Sequence, residues 1–244
     1  MAALNTFLWG ALPYLAIGLL ISGTIWRYRY DRFGWTTRSS ELYESRLLRI
    51  GSPLFHIGLF FVIAGHVIGL LIPASWTAAV GVNEATYHAL ALALGVVAGV
   101  LTFGGLVLLI WRRRTTGPVF LATTRNDKVM YVFLVAALGT GLATTLINAF
   151  GATYDYRTTV SPWLRSLFTF LPDTGLMAEA PTEYHLHVTI ALLLFALLPF
   201  TRLVHAFTAP VAYLFRPYLV YRSRDVTRGP GTARPRRGWE RTGS

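Results

Sequence analysis

The chain has no cysteine and few charged residues. None of its 244 residues is a cysteine, and only 14% are charged. The absence of cysteine excludes disulfide bonds, thiolate zinc sites and iron–sulfur clusters held by this chain, so any metal must be held mainly by histidine. Because 54% of the residues are hydrophobic and the mean hydropathy is +0.49, the composition excludes an ordinary soluble domain and indicates a membrane protein.

Five stretches are long and apolar enough to cross a membrane, which requires about 20 apolar residues. The predicted spans are Thr6–Ile25, Pro53–Ile72, Tyr87–Trp111, Lys128–Phe150 and Tyr184–His205. The first stretch has neither a basic n-region nor an A-x-A cleavage site, so we expect a spanning helix and not a removed signal peptide. The predicted fold is therefore an all-α polytopic membrane protein with a bundle of five transmembrane helices.

Positive charge is concentrated on one side of these spans. Of the 22 lysines and arginines, six lie in Arg27–Arg49, five in Arg112–Lys128 and nine in Arg202–Arg241. If the spans alternate in direction, all three blocks face the same side. The positive-inside rule then predicts an N-terminus outside and a C-terminus in the cytoplasm, in the cytoplasmic (inner) cell membrane. The net charge of +11 therefore indicates interaction with membrane lipid and not with nucleic acid.

The composition changes along the chain. Residues 1–222 are predicted to form the membrane domain, and residues 223–244, which are rich in Gly, Pro and Arg, a basic and disordered cytoplasmic tail. The outer segment Gly151–Glu183 mixes apolar and polar residues with several prolines. We expect it to fold against the outer membrane face as a short amphipathic helix.

Four histidines lie in or beside apolar stretches, where ionisable residues are costly and usually functional. His56 and His66 belong to the second span, and His187 and His205 to the fifth. Because these spans run in opposite directions, the histidines form an outer layer of His66 with His187 and an inner layer of His56 with His205. If the fifth span is one continuous helix, its two histidines are about five whole turns apart and share a face. The second-span pair diverges in direction by about 80°.

Two histidines in each layer, without a neighbouring carboxylate or thiolate, are too few for tetrahedral zinc. They match the two axial ligands of a six-coordinate b-type haem, whose porphyrin supplies the other four nitrogens. Such an iron passes electrons and does not bind oxygen, so two haem b groups at different depths would form an electron path across the membrane. Covalent c-type attachment is excluded because the sequence has no CxxCH motif. The alternatives are that the histidines are hydrogen-bonded packing residues, that they form a proton or ion path in a haem-free transporter or channel, or that the chain is a purely structural membrane anchor.

Other polar residues near the predicted membrane boundaries have two interpretations each. Arg202 lies three residues before His205 on the same helical face, where it could pair with a haem propionate or simply extend to the cytoplasmic boundary. Arg112 has the same two interpretations. His88 and His185 lie near the outer boundary, either as interfacial polar residues or as groups that assist proton release from a quinol.

The chain resembles the gamma subunit of respiratory nitrate reductase, a membrane-anchoring dihaem cytochrome b. The resemblance covers about Leu4–Arg222. The matching stretches are WRYRYDRFGWTTRSS (Trp26–Ser40), SPLFHIG (Ser52–Gly58), GHVIGLLIP (Gly65–Pro73) and LHVTIALLLFALLPFTRLVHAFTAPVAYLFRPY (Leu186–Tyr218). The histidine spacings and the RLVH-x5-P-x2-YL run are fairly specific in combination.

The resemblance implies a function. The outer haem would use His66 and His187, and the inner haem His56 and His205. Quinol, such as menaquinol, would be oxidised near the outer haem with its protons released outside. Electrons would continue to an iron–sulfur beta subunit and a molybdenum-containing catalytic alpha subunit on the cytoplasmic face, where nitrate is reduced.

The sequence departs from the family pattern at the outer start of the third span. A lysine associated with the quinol site in some members is absent, and Thr86 or His88 stands in that region. We therefore take Glu84, Thr86 and His88 as quinol-site candidates. Related gamma-like subunits serve other quinone-linked oxidoreductases of sulfur or heterodisulfide metabolism, which is the alternative for the terminal acceptor.

Overall fold

The computed structural model describes residues 2–31, 40–151 and 154–208, and every regular element in these residues is helical. Five helices are long and apolar enough to cross a membrane, so the five predicted spans are confirmed with different bounds. We name them spans 1 to 5, and they cover Ala2–Tyr30, Arg46–Leu71, Glu84–Thr115, Arg125–Phe150 and Thr182–Phe200. The predicted tail, residues 223–244, lies outside the described residues.

Side-chain caps set where spans 3 and 4 begin. The Asn83 side chain accepts a hydrogen bond of 2.8 Å from the backbone N–H of Thr86, satisfying one of the unpaired donors at a helix start. Span 4 starts with a capping box. In it, the side chains of Thr124 and Asp127 each accept a bond from the other's backbone N–H, at 3.1 and 2.8 Å. The carboxylate of Asp127 is thereby fixed at the end of the bundle.

Span 5 does not continue as an α-helix through its last predicted turns. The α-helix Thr182–Leu197 passes into a 3₁₀ turn at Leu198–Phe200, and a second 3₁₀ helix follows at Arg202–Thr208. Between them Thr201 is extended, with φ −120° and ψ −178°. Pro199 explains the break because it has no N–H to donate and its ring clashes with the preceding turn of an α-helix.

This break corrects one expectation. His187 lies in the α-helix of span 5, whereas His205 lies in the 3₁₀ helix beyond the break. The two do not share one face of a continuous helix, and their eighteen-residue spacing does not fix their relative directions.

The spans pack in the order 2, 3, 4, 5, 1, each against the next. Spans 2 and 3 make the most extensive contact, and glycine allows their backbones to meet. A Cβ on Gly105 would lie 2.4 Å from the backbone nitrogen of Phe55, and one on Gly58 would lie 2.6 Å from that of Thr102. Small residues permit this approach in membrane helices, where van der Waals packing is a main attraction between helices.

The segment between spans 4 and 5 contains the expected short helix, Val160–Leu167, with one face buried. The Trp163 indole on that face donates a 2.8 Å hydrogen bond to the carbonyl of Trp9 in span 1. The end of the bundle that carries Arg27, Arg112 and Arg202 is called the basic end. The end that carries the contact between Trp163 and Trp9 is called the opposite end.

We predict that Gly105→Ala destabilises the protein, because the added methyl overlaps the backbone of span 2. Overpacking of this kind costs about 1–3 kcal/mol. Gly104→Ala is the matched control, since nothing lies within 4 Å of a Cβ there and alanine favours a helix by up to about 1 kcal/mol. Thermal unfolding in detergent measures both. Equal melting temperatures for the two variants would contradict the close approach of spans 2 and 3.

Candidate functional site

The structure brings together the two predicted histidine pairs. The ring centres of His66 and His187 are 6.0 Å apart, and those of His56 and His205 are 6.3 Å apart. Each pair joins span 2 to the fifth span or to the 3₁₀ helix that follows it. The break in span 5 therefore does not prevent the pairing of His205 that the sequence predicted.

The two histidines of span 2 bond to their own helix through Nδ1. Nδ1 of His56 lies 2.8 Å from the carbonyl oxygen of Ser52, and Nδ1 of His66 lies 2.7 Å from that of Val62. A carbonyl oxygen can only accept, so Nδ1 carries the hydrogen in both rings. In a neutral imidazole the lone pair is then on Nε2, the nitrogen that can bind a metal.

His187 has the same tautomer for a different reason. Its Nδ1 lies 3.2 Å from the hydroxyl oxygen of Thr140 in span 4. That hydroxyl donates to the carbonyl of Ala136 at 2.7 Å, so it accepts from His187. Gly141 lies beneath the ring, where a Cβ would be 2.8 Å from Cε1 of His187. The sequence analysis missed Thr140 and Gly141 as site residues, because no spacing rule connects them with span 5.

His205 completes the set, since its Nδ1 lies 2.6 Å from the carbonyl oxygen of Arg202. The remaining two histidines of the chain differ. His185 uses Nε2, which donates to the carbonyl of Met177 at 2.7 Å, and His88 places Nε2 3.3 Å from Oδ1 of Asp155. Hydrogen bonding thus separates the four paired histidines from the other two.

The spacing of each pair suits two ligands of one metal. Metal–imidazole bonds are about 2.0–2.1 Å long and each nitrogen lies about 1.1 Å from its ring centre, so two rings on one metal have centres about 6 Å apart. In each pair the other ring nitrogen, Nδ1, is hydrogen-bonded, which is the usual support for a metal-bound histidine. The spacing of each pair is therefore compatible with two imidazole ligands of one metal.

Arg112, which the sequence offered for a haem propionate or the membrane boundary, is 3% exposed. Its Nε donates to Oε2 of Glu44 at 2.6 Å, and its Nη atoms donate to the Glu44 carbonyl and to Ser40. It therefore ties the end of span 3 to the segment before span 2. A backbone hydrogen bond from Leu47, supported by Arg112, holds the pKa of the Glu44 carboxyl below its usual value.

Arg202 makes a comparable pair at the same end of the bundle. Its Nε and Nη2 donate to the two carboxylate oxygens of Asp127 at 2.5 and 2.7 Å. In the structure each of these two arginines pairs with a carboxylate of the protein. Pairing of either arginine with a haem propionate stays a prediction.

The three quinol-site candidates lie at the opposite end, at the start of span 3. Glu84 and Thr86 are exposed, whereas the His88 side chain is 20% exposed and approaches Asp155. Ligand atoms of Glu84, His88 and Asp155 all lie within 4.8 Å of one another. Arg157 donates to both carboxylate oxygens of Glu84 at 3.2 Å, and this cation opposes the binding of a metal ion. The arrangement places the imidazole of His88 beside the carboxylate of Asp155.

Two tyrosines lie between this cluster and the outer histidine layer. The hydroxyls of Tyr87 and Tyr156 are 3.1 Å apart. A Cβ added to Gly69, one turn after His66, would lie 2.7 Å from the Tyr156 hydroxyl and 3.1 Å from that of Tyr87. Burial, with the hydrogen bond to Tyr87, raises the pKa of Tyr156, so its phenol stays protonated. The ring of Tyr156 is centred 6.3 Å from that of His88. A hydrogen-bonded tyrosine pair thus adjoins His88, and no sequence pattern pointed to this pair.

The chain is similar to proteins of one known family. Residues 5–224 match the family model described as nitrate reductase gamma subunit. The nitrate reductase gamma chain of Bacillus subtilis is 43% identical over 89% of this chain and 98% of its own length. The respiratory nitrate reductase 2 gamma chain of Escherichia coli is 33% identical over 91% of this chain and 98% of its own length. The chain therefore belongs to the nitrate reductase gamma subunit family, and with its five spans it is a membrane protein.

A further relative is longer. The nitrate reductase-like protein NarX of Mycobacterium tuberculosis is 58% identical over 95% of this chain but only 35% of its own length. The chain thus spans about a third of that protein.

Proposed function

We propose that this chain is the membrane-anchoring dihaem cytochrome b subunit of a nitrate reductase, lying in the cytoplasmic membrane with its N-terminus outside. It would oxidise quinol at the opposite end of the bundle and deliver electrons at the basic end. There it would meet an iron–sulfur beta subunit and a molybdenum-containing alpha subunit in the cytoplasm. The single observation that carries the proposal is the pairing of four histidines that share one tautomer.

The residues fit two haem b groups. His66 and His187 would hold the outer haem, and His56 and His205 the inner one. When bound, the haems supply one-electron transfer between two depths of the membrane. The chain contributes neutral imidazoles whose Nδ1–H bonds fix ring orientation and raise ligand basicity, which tunes the potential of a bound iron.

Oxidation of one quinol to the quinone releases two electrons and two protons, and the chain needs a group that takes up those protons. His88 suits this task because it lies at the start of span 3 beside Asp155, and histidine is the side chain that ordinarily exchanges protons near neutral pH. Tyr156 and Tyr87 would hydrogen-bond to the quinol hydroxyl. Moving each electron inward against an outside-positive potential costs about 2.3 kcal/mol per 100 mV. The reduction potential of the acceptor must therefore exceed that of the quinol by enough to supply this free energy.

We predict that protein purified in detergent from haem-supplied cells is red and shows two spectrally distinct b-type haems. Replacing His66 or His187 with alanine should remove the outer species, and replacing His56 or His205 should remove the inner one. His185→Ala is the matched control, because His185 lies two residues from His187 but its Nε2 is bonded to Met177. Reduced-minus-oxidised spectra and redox titration measure the outcome.

A colourless preparation would overturn the haem proposal and favour a haem-free transporter or a structural anchor. Loss of the same species in both His56→Ala and His66→Ala would show that the layer pairing is wrong.

We predict that Gly141→Ala perturbs the outer haem alone. The new methyl would lie 2.8 Å from Cε1 of His187 and displace the ring, whereas Gly139→Ala meets only Phe103 at an ordinary 3.5 Å. The expected result is a shifted or depleted outer species in the first variant and unchanged spectra in the second. Identical spectra for the two variants would count against ligation by His187.

We predict that His88→Gln lowers quinol oxidation about tenfold or more, since a positioned proton acceptor typically contributes 10²–10⁴ in rate. The complex that co-purifies with the chain is assayed with a quinol analogue and nitrate, and then with reduced viologen, which bypasses the quinol. Viologen-dependent activity should not change. Ala85→Ser, at an exposed neighbour that is not one of the quinol-site candidates, is the control.

Equal loss with both donors would place His88 outside quinol oxidation. A co-purified partner that reduces another substrate but not nitrate would show that the chain serves a different quinone-linked oxidoreductase.

A further inference from the structure

The break in span 5 exposes backbone carbonyls that neighbouring spans satisfy. Nη1 of Arg27, in span 1, donates to the carbonyls of Pro199 and Thr201 at 2.8 and 3.0 Å. The side-chain amide of Asn126, in span 4, donates to the carbonyl of Phe200 at 2.6 Å. Three successive carbonyls are thus bonded from two other spans, which holds the chain in a defined path as it leaves the α-helix.

The segment after the break is also held by an ion pair between Asp127 and Arg202. Asp127 is 4% exposed, and its carboxylate accepts two guanidinium bonds, at 2.5 and 2.7 Å, in a fork geometry. Its Oδ2 also accepts the backbone N–H of Thr124 at 2.8 Å. The capping box of span 4 therefore orients the same carboxylate that binds Arg202, and it leaves this pair little freedom to move.

The backbone of Arg202 continues this chain of contacts to His205. The carbonyl of Arg202 accepts the Nδ1–H of His205 at 2.6 Å. That bond fixes the ring tautomer and direction, and the Arg202 side chain fixes the position of the carbonyl. The other three paired histidines take their Nδ1 acceptors from the α-helices of spans 2 and 4, so His205 alone among the four depends on a segment outside those helices.

We propose that Asp127 is a positioning residue for His205, acting through Arg202. Asp127, Arg202 and the Arg202 carbonyl form a clamp that sets where the Nε2 of His205 lies and how basic the ring is. The clamp rests on the proposed haem role of His205. It gives Arg202 and Asp127 a task in the inner site that does not require either of them to contact the haem.

The test is Asp127→Asn in the full chain, purified from membranes with the subunits that accompany it. The amide keeps the size of the side chain, but it removes the charge and one of the acceptors of the guanidinium fork. Loss of a partner that supports a metal-bound histidine typically costs 10–100-fold in affinity. We expect the inner haem to transfer to apomyoglobin about tenfold faster or more, with a changed ferric electron paramagnetic resonance signal. The outer haem should be unaffected and reports that the variant is folded.

Three further variants separate the clamp from general disturbance. Asp127→Glu retains the carboxylate and should restore the inner signal at least in part. Thr124→Val removes the hydroxyl of the capping box but keeps the backbone N–H that binds and orients the Asp127 carboxylate, and it should leave the inner haem in place. Glu44→Gln removes the carboxylate from another arginine pair of the basic end, and it should also leave the inner haem in place.

Unchanged transfer rate and signal in Asp127→Asn would overturn the clamp while leaving the two haems established. An inner haem lost equally in Thr124→Val would also overturn it, since fraying of span 4 would then be the cause. If Asp127→Asn fails to accumulate, Arg202→Lys tests the same fork with the charge retained, and the same inner-haem effect is expected. Absence of any inner haem in the unaltered protein would instead refute the proposed function.

Discussion

An imidazole inside an apolar helix has an N–H that must find an acceptor nearby, because water is not at hand to supply one. In this chain the acceptor of each paired histidine meets Nδ1. That single bond settles the tautomer, the ring direction and which nitrogen carries the lone pair. The two histidine pairs, and with them the proposed transfer of electrons across the bundle, depend on it.

The same demand for paired polar groups explains the break in span 5. Pro199 ends the α-helix, and a bilayer tolerates irregular backbone only where protein satisfies it. Here the carbonyls of the break are bonded by Arg27 and Asn126, and the Arg202 side chain is held by Asp127. Basic residues at this end therefore have structural partners within the protein. Their positive charge predicted the orientation of the chain in the membrane, and they also stabilise the break in span 5.

Glycine plays two different physical parts in the bundle. At Gly58 and Gly105 it lets the backbones of spans 2 and 3 meet, whereas at Gly141 it makes room for the ring of His187. In the sequence all three are simply small residues within apolar stretches. Their separate roles follow from which helix each one faces, and that depends on the packing order of spans that are distant in the chain.

The sequence by itself determined the five spans and the two histidine pairs, since hydropathy, length and opposite helix directions are properties of local stretches and their order. It did not determine the acceptor of His187, the pairing of Arg202 with Asp127, or the cluster of His88, Asp155 and Tyr156. Those depend on side chains that come from different spans, or from the segments next to span 5, and meet only after packing. Tertiary structure decided these contacts because a hydrogen bond requires donor and acceptor atoms about 3 Å apart. The pattern of residues within one helix does not determine which residues of another helix lie that close.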